Sequence, residues 1–347
     1  MEIKDFGYII GGGISGKHNR ITDVPGVRVG QCTVDDGDVH SGVTVIFPCQ
    51  GSVYEEKPVS AIHVLNGYGK TTGTVQIEEI GCLESPIALT NTLSVGSVLD
   101  AMTGYIVSDE DKRGIEVKSV NVVVGETNDS EINNIRKRAI NEQHVIAAIR
   151  DAESYGPDFE EGDVGAGRGT ICFGLKGGIG SSSRVIGLNG KMYTIGVLVQ
   201  SNFGNTENLT VCGDCIGKRI AECLDVKSTV DKGSIMVVIG TDVPLSSRQL
   251  KRVIKRAAVG LIRTGSFMGT GSGDVFIGFS NGNLTGRAKK DQINNIEMFP
   301  ENRIDLLFTA TAEATEEAIL NSLINAHPAQ NRKGKTIHAL SEYILHS

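Results

Sequence analysis

Glycine constrains this chain more than any other residue, holding 44 of its 347 positions. A residue without a Cβ permits tight turns and close backbone approaches, so this many favour a mixed α/β or β-rich body. Short apolar or β-branched runs bounded by turn residues give buried-strand candidates at 43–48, 119–124, 169–175, 193–200, 235–240 and 275–279. The clearest helical pattern covers 247–262, where Leu250, Val253, Ile254, Ala257, Ala258 and Leu261 recur on one face. Ser246 followed by Gln249 has the form of a capping box at its start. Further helices are predicted near 95–103, 132–152 and 312–325. Helices and strands intermix, which predicts α/β layers, and no repeat, linker or compositional break divides residues 1–347 into two domains.

The formal net charge is −7, with acidic residues spread along the chain, so there is no nucleic-acid or membrane-surface footprint. Arg248, Lys251, Arg252, Lys255 and Arg256 fall on the polar face of the 247–262 helix, as a solvated surface requires. The start, Met1-Glu2-Ile3-Lys4-Asp5, lacks a basic segment followed by an apolar stretch, and no run approaches a membrane span; the expected location is the cytoplasm. Seven cysteines (Cys32, Cys49, Cys82, Cys172, Cys212, Cys215, Cys223) are an odd count at irregular spacing, which argues for reduced, mostly buried thiols. Cys212 and Cys215 form a CxxC, but no second CxxC or close histidine pair completes a zinc site. Neither metal nor cofactor is expected.

No histidine occupies a Ser-His-Asp context, and HExxH is absent. The stretch from Gly165 to Ser183 could cradle an oxyanion with backbone amides, yet no Gly-Lys-Ser/Thr closes it as a Walker A loop. Its Gly178-Ile-Gly-Ser-Ser-Ser183 portion resembles the GLGSS core of GHMP-type small-molecule kinases, a rival to a purely packing role. A second glycine-rich stretch, 264–274, ends in Ser272 and Asp274, whose spacing puts both side chains on one face of an extended segment. Turn chemistry and catalysis fit that pair equally. Finally, Asp231-Lys-Gly-Ser234 leads into Ile-Met-Val-Val-Ile. Gly233 can take backbone conformations closed to other residues and so expose a strained carbonyl to the Ser234 hydroxyl; a plain turn before a strand is the alternative.

Together these features resemble the DmpA family of N-terminal-nucleophile aminopeptidases, which includes L-aminopeptidase/D-esterase and β-peptidyl aminopeptidases. The likeness runs through Arg20-Ile-Thr-Asp-Val-Pro-Gly-Val-Arg-Val-Gly30, Leu65-Asn-Gly-Tyr-Gly69, Thr90-Asn-Thr92, Val124-Gly-Glu-Thr127, Val199-Gln-Ser-Asn-Phe-Gly204, Gly233-Ser234, Thr241-Asp-Val-Pro-Leu245 and Gly271-Ser-Gly-Asp274. It implies a four-layer αββα sandwich of the DmpA/ornithine acetyltransferase type, and one precursor that cuts itself before a serine. The pieces would be residues 1–233 and the 347 − 233 = 114 residues from Ser234, kept together and assembled as a homotetramer.

Residue by residue, the resemblance implies Ser234 as nucleophile, Asn202 as oxyanion-hole donor, and Ser272 with Asp274 as support for the nucleophile. Glu126 would hold the free ammonium of a small peptide, amide or ester substrate. At position 128, where relatives often carry an aromatic residue, this chain has Asn128, so one substrate contact differs. The roles cohere chemically. A serine hydroxyl needs a base, and self-cleavage would supply one as the Ser234 α-amine, with a reference pKa of roughly 7.7 to 8.0. Acyl transfer to an amine on the same scaffold is the second reading, and the GHMP-like kinase the third.

Overall fold

Along the strand from Ser234 to Thr241, Ile235, Val237 and Ile239 join one apolar core while Met236 and Val238 join another. A strand buried on both faces lies between two layers. This is how the computed structural model is built throughout; it describes residues 1–154, 156–225, 233–287 and 293–344. In chain order, the elements used below are β1 (Arg28–Asp36), β2 (Val39–Phe47), α1 (Val53–Glu56), β3 (Pro58–Gly67), α2 (Thr74–Ile80), β4 (Ile87–Asn91), α3 (Val95–Lys112), β5 (Val123–Thr127) and α4 (Glu142–Ser154). They continue with β6 (Ile171–Cys172), β7 (Leu175–Lys176), β8 (Ile179–Leu188), β9 (Lys191–Asn202), α5 (Ile216–Leu224), β10 (Ser234–Thr241), α6 (Ser247–Ile254), α7 (Ala257–Arg263), β11 (Gly273–Leu284) and α8 (Asp305–Ile324).

One sheet has the order β1-β2-β4-β5 and the other β3-β11-β10-β9-β8. Helices α3 and α4 cover the first; α6 and α8 lie on the second, with α7 against α8. The sheets face each other through β5 and β10, which completes the expected αββα order. Most neighbours run antiparallel, but β10–β11 and β4–β5 are parallel. The parallel β10–β11 pair makes both strands start at the same edge, and that edge holds the site.

Some local expectations are corrected. The 247–262 helix is two helices: at Arg256, Ala258 and Val259 the amide bonds run to the third residue back, which tightens the turn and breaks the α register. The Ser246–Gln249 capping box is present. Arg248 and Arg252 pair with Glu301, and Lys251 with Glu78, so the basic face is solvated but carries partners. The 132–152 helix begins only at Glu142. Residues 169–175 form a tight β6–β7 hairpin rather than one strand. The thiols divide evenly: Cys49, Cys82 and Cys172 are buried, Cys32 is intermediate, and Cys212, Cys215 and Cys223 are exposed.

Helix α8, expected from 312, begins at Asp305 and is buried on nearly all sides, including Glu313, Glu316 and Glu317. Arg184, itself 2% exposed, neutralises Glu313 and Glu317 at 3.2 and 2.6 Å, and Arg263 faces Glu316. Buried carboxylates are tolerable only with such partners.

Candidate active site

Three strand ends form one row. Ser234, the first residue of β10, is aligned with Asn202 at the end of β9 and with Gly273 at the start of β11. It is 7% exposed, and its Oγ accepts from the Gly273 amide at 3.2 Å. One residue back, Ser272 Oγ donates to Asp274 Oδ1 at 2.6 Å, both groups being buried. The expected serine–carboxylate pair therefore exists, separated from Ser234 by the Gly273 backbone. Asp231 and Lys232 lie outside the described residues.

Gly233 is required by crowding. A Cβ there would fall 2.1 Å from Phe203 Cα and 2.4 Å from the Asn202 carbonyl oxygen. Close approach is thus a physical reason for glycine at this position.

Asn202 is held at both ends: Oδ1 accepts from the Ile171 amide at 2.9 Å, and Nδ2 donates to the Asn128 carbonyl at 3.0 Å. An amide nitrogen has two hydrogens, which leaves Nδ2 with a second hydrogen to donate. Asn128 contributes through this backbone carbonyl, while its side-chain oxygen caps its own turn by accepting from the Ser130 amide. Next to it, Asp129 accepts from Ser41 and Asn133, yet burial still pushes its carboxyl up to about 6.

Glu126 comes from the facing sheet, on β5, and is 3% exposed. Its Oε1 accepts from the Lys70 amide at 3.0 Å, and among the described residues it makes no ion pair with lysine or arginine. A buried carboxylate without a cation is costly unless a ligand supplies one.

Three contributors carry no role in the sequence reading: the Gly273 and Ile171 amides, and Asn66. Asn66 Nδ2 donates to Asp274 Oδ2 at 2.9 Å and to the Met268 carbonyl at 3.0 Å. The backbone amides have no side-chain signature. Asn66 lies within the Leu65-Asn-Gly-Tyr-Gly69 run, but its partner depends on strand register.

The GHMP-like segment has a different job. Gly178 and Gly180 border or lie in β8, and a Cβ on either would meet a backbone carbonyl oxygen, of Gly162 or Ala318, at 2.0 Å. The hydroxyls of Ser181, Ser182 and Ser183 bond to Val197, Glu317 and Asp23. A strand packed this closely on α8 presents no phosphate cradle. Among the described residues, no group of three or more His, Cys, Asp or Glu side chains could hold a metal ion, and no helix is long and apolar enough to cross a membrane.

The two facing sheets with helices on their outer sides match solved structures of the Ntn hydrolase fold. A Pyrococcus horikoshii OT3 protein superposes with a TM-score of 0.92 at 43% identity, covering 99% of this chain and 98% of its own. A Burkholderia beta-aminopeptidase gives 0.89 at 40%, covering 98% and 96%. The L-aminopeptidase D-Ala-esterase/amidase of Ochrobactrum anthropi, described as a variant of the Ntn hydrolase fold, gives 0.88 at 32%, covering 98% and 95%. By sequence, beta-peptidyl aminopeptidase BapA of Sphingosinicella microcystinivorans is 38% identical over 94% of this chain and 87% of its own length. The chain belongs to peptidase family S58, whose sequence model matches residues 19–337. It is an aminopeptidase with the Ntn hydrolase fold.

Proposed function

We propose that the chain cuts itself between Gly233 and Ser234 and then works with Ser234 as an amino-terminal nucleophile. Its substrates are small peptides, amides or esters with a free amino terminus. The carrying observation is the row Asn202–Ser234–Gly273, with Ser234 Oγ 3.2 Å from the Gly273 amide and the Ser272–Asp274 pair one residue away.

In processing, Ser234 Oγ attacks the Gly233 carbonyl carbon; the C–N bond breaks as the ester forms, and water then cleaves the ester. This leaves a Gly233 carboxylate and the free α-amine of Ser234. In hydrolysis that amine takes the Oγ proton, directly or through one water, as Oγ attacks the substrate carbonyl. Asn202 Nδ2 donates to the oxyanion, and the proton passes to the leaving amine or alcohol. Ser272, oriented by Asp274, steadies the ammonium of Ser234. Water then releases the acyl group. Glu126, buried with no lysine or arginine partner among the described residues, takes the substrate ammonium and so sets the cut next to a free amino terminus.

The beta-peptidyl and beta-amino relatives support a further commitment, that an amino-terminal β-residue is accepted. The working form on this reading is a homotetramer of processed protomers in the cytoplasm. Ser234→Ala tests the proposal: intact mass should show only uncut chain, and hydrolysis of alanine and β-alanine amides should be lost together. Retained activity would refute it. Adding amine acceptors separates hydrolysis from acyl transfer, which would appear as transfer product in excess of hydrolysis.

A further inference from the structure

We infer that Asn66 is a positioning residue for this site, holding Asp274 in the orientation that serves Ser272 and tying the 264–274 stretch to it. The inference rests on the proposed role of the Ser234, Ser272 and Asp274 group. Three independent observations carry it.

The first is register. In the body of the β3–β11 pair, Val275 faces Val64 and Phe276 faces His63, and continuing that register would set Leu65 opposite Asp274. The pairing instead slips by one residue between Asp274 and Val275, so that Asn66 faces Asp274 and Gly67 faces Gly273. A bulge of this kind re-aims side chains, and here it exchanges an apolar neighbour for an amide.

The second is how the carboxylate is held. Ser272 donates to Oδ1 at 2.6 Å and Asn66 to Oδ2 at 2.9 Å, so the two side chains grip different oxygens. A carboxylate fixed at both oxygens cannot rotate away from Ser272 without losing a charge-assisted bond. The third is reach. The same Asn66 Nδ2 donates to the Met268 carbonyl, and just beyond it the Tyr68 amide donates to the Ser272 carbonyl at 3.3 Å. The strap continues to the Lys70 amide on Glu126. Nucleophile support and ammonium anchor thus share one short segment of chain.

A positioning residue acts through Asp274 and should change turnover more than substrate affinity. The test is a double-mutant cycle of Asn66→Ala and Asp274→Asn, with kcat and KM for an aminoacyl amide and intact mass of freshly made protein. Asn66→Ala should lower kcat by about 10- to 100-fold with KM nearly unchanged, the worth of one hydrogen bond to a charged group. In the Asp274→Asn background it should have little further effect, because the group it positions is gone.

Asn66→Asp keeps the side-chain shape but sets a carboxylate against Asp274; it should fold, by thermal melt, and lose more kcat than Asn66→Ala. Wild-type kcat in both Asn66 variants, or fully multiplicative losses in the cycle, would overturn the positioning role. Full activity of Asp274→Asn alone would instead overturn the site reading on which it rests.

Discussion

Glycine does different work in 165–183 and in 264–274. In the first stretch, Gly180 lets β8 lie on α8, where a Cβ would come within 2.0 Å of the Ala318 carbonyl oxygen. In the second, Gly273 lets the 66–70 strap cross the start of β11, where a Cβ would come within 2.9 Å of the Tyr68 carbonyl oxygen. The requirement is the same, but the neighbour differs. Beside Gly180 the approaching backbone is a buried helix. Beside Gly273 it is the strap bearing Asn66 and Lys70, and the Gly273 amide itself faces the Ser234 hydroxyl. Glycine density therefore reports close approach, and chemistry is decided by what approaches.

The contrast can be broken at several points. The largest effect is expected for Asn202→Ala, which removes the amide fixed by Ile171 and Asn128 and should lower kcat by about 10²- to 10³-fold, as loss of one oxyanion donor does. Steady-state kinetics on processed enzyme would show it; a loss confined to KM would reassign Asn202 to substrate binding. Next, Glu126→Gln should raise KM about 10- to 100-fold for substrates with a free ammonium, since a buried charge pair becomes a neutral contact. Substrates acylated at the amino group serve as the comparison, and an equal effect on them would count against the ammonium anchor.

Gly180→Ala should instead act on the scaffold, costing about 1 to 3 kcal/mol of stability through overpacking against α8 while kcat per folded molecule is kept. Urea unfolding and active-site titration together would test this. A loss of kcat at full stability would erase the distinction between the two stretches. The smallest effect concerns Glu161, which bonds the Ser181 amide at 2.6 Å and faces Arg20 at 3.6 Å. Burial raises its carboxyl from 4.5 to about 7 against those partners. The folded chain then keeps a proton that the unfolded chain has released, so this group's contribution to stability is full below pH 4.5 and is lost as pH rises through 7. Glu161→Gln removes that decline, and its stability relative to the parent should rise between about pH 5 and 7.5 in urea titrations. A pH-independent difference would contradict the assignment.

What could be read from the chain follows the same division. Strand β10 was legible because its run is uniformly apolar and bounded by turns, and the αββα layering followed from the family pattern. Ser234, Asn202, Glu126, Ser272 and Asp274 stood in ordered motifs. Strand β8 was not legible: its Gly178–Ser183 start looks like a loop until α8 is seen pressing on it. Asn66 could not be paired with Asp274 without the one-residue slip at Leu65, a property of two strands rather than of either sequence. Glycine at 233 was anticipated for conformational freedom, and its close contact with Phe203 and Asn202 adds a second reason that only the fold reveals.

The central claim, that the chain makes its own catalytic amine, is tested most directly by amino-terminal sequencing and intact mass of the purified active protein. The account predicts two pieces, residues 1–233 and 234–347, with a second amino terminus reading Ser-Ile-Met-Val-Val. An active preparation containing only the 36.9 kDa chain would contradict it.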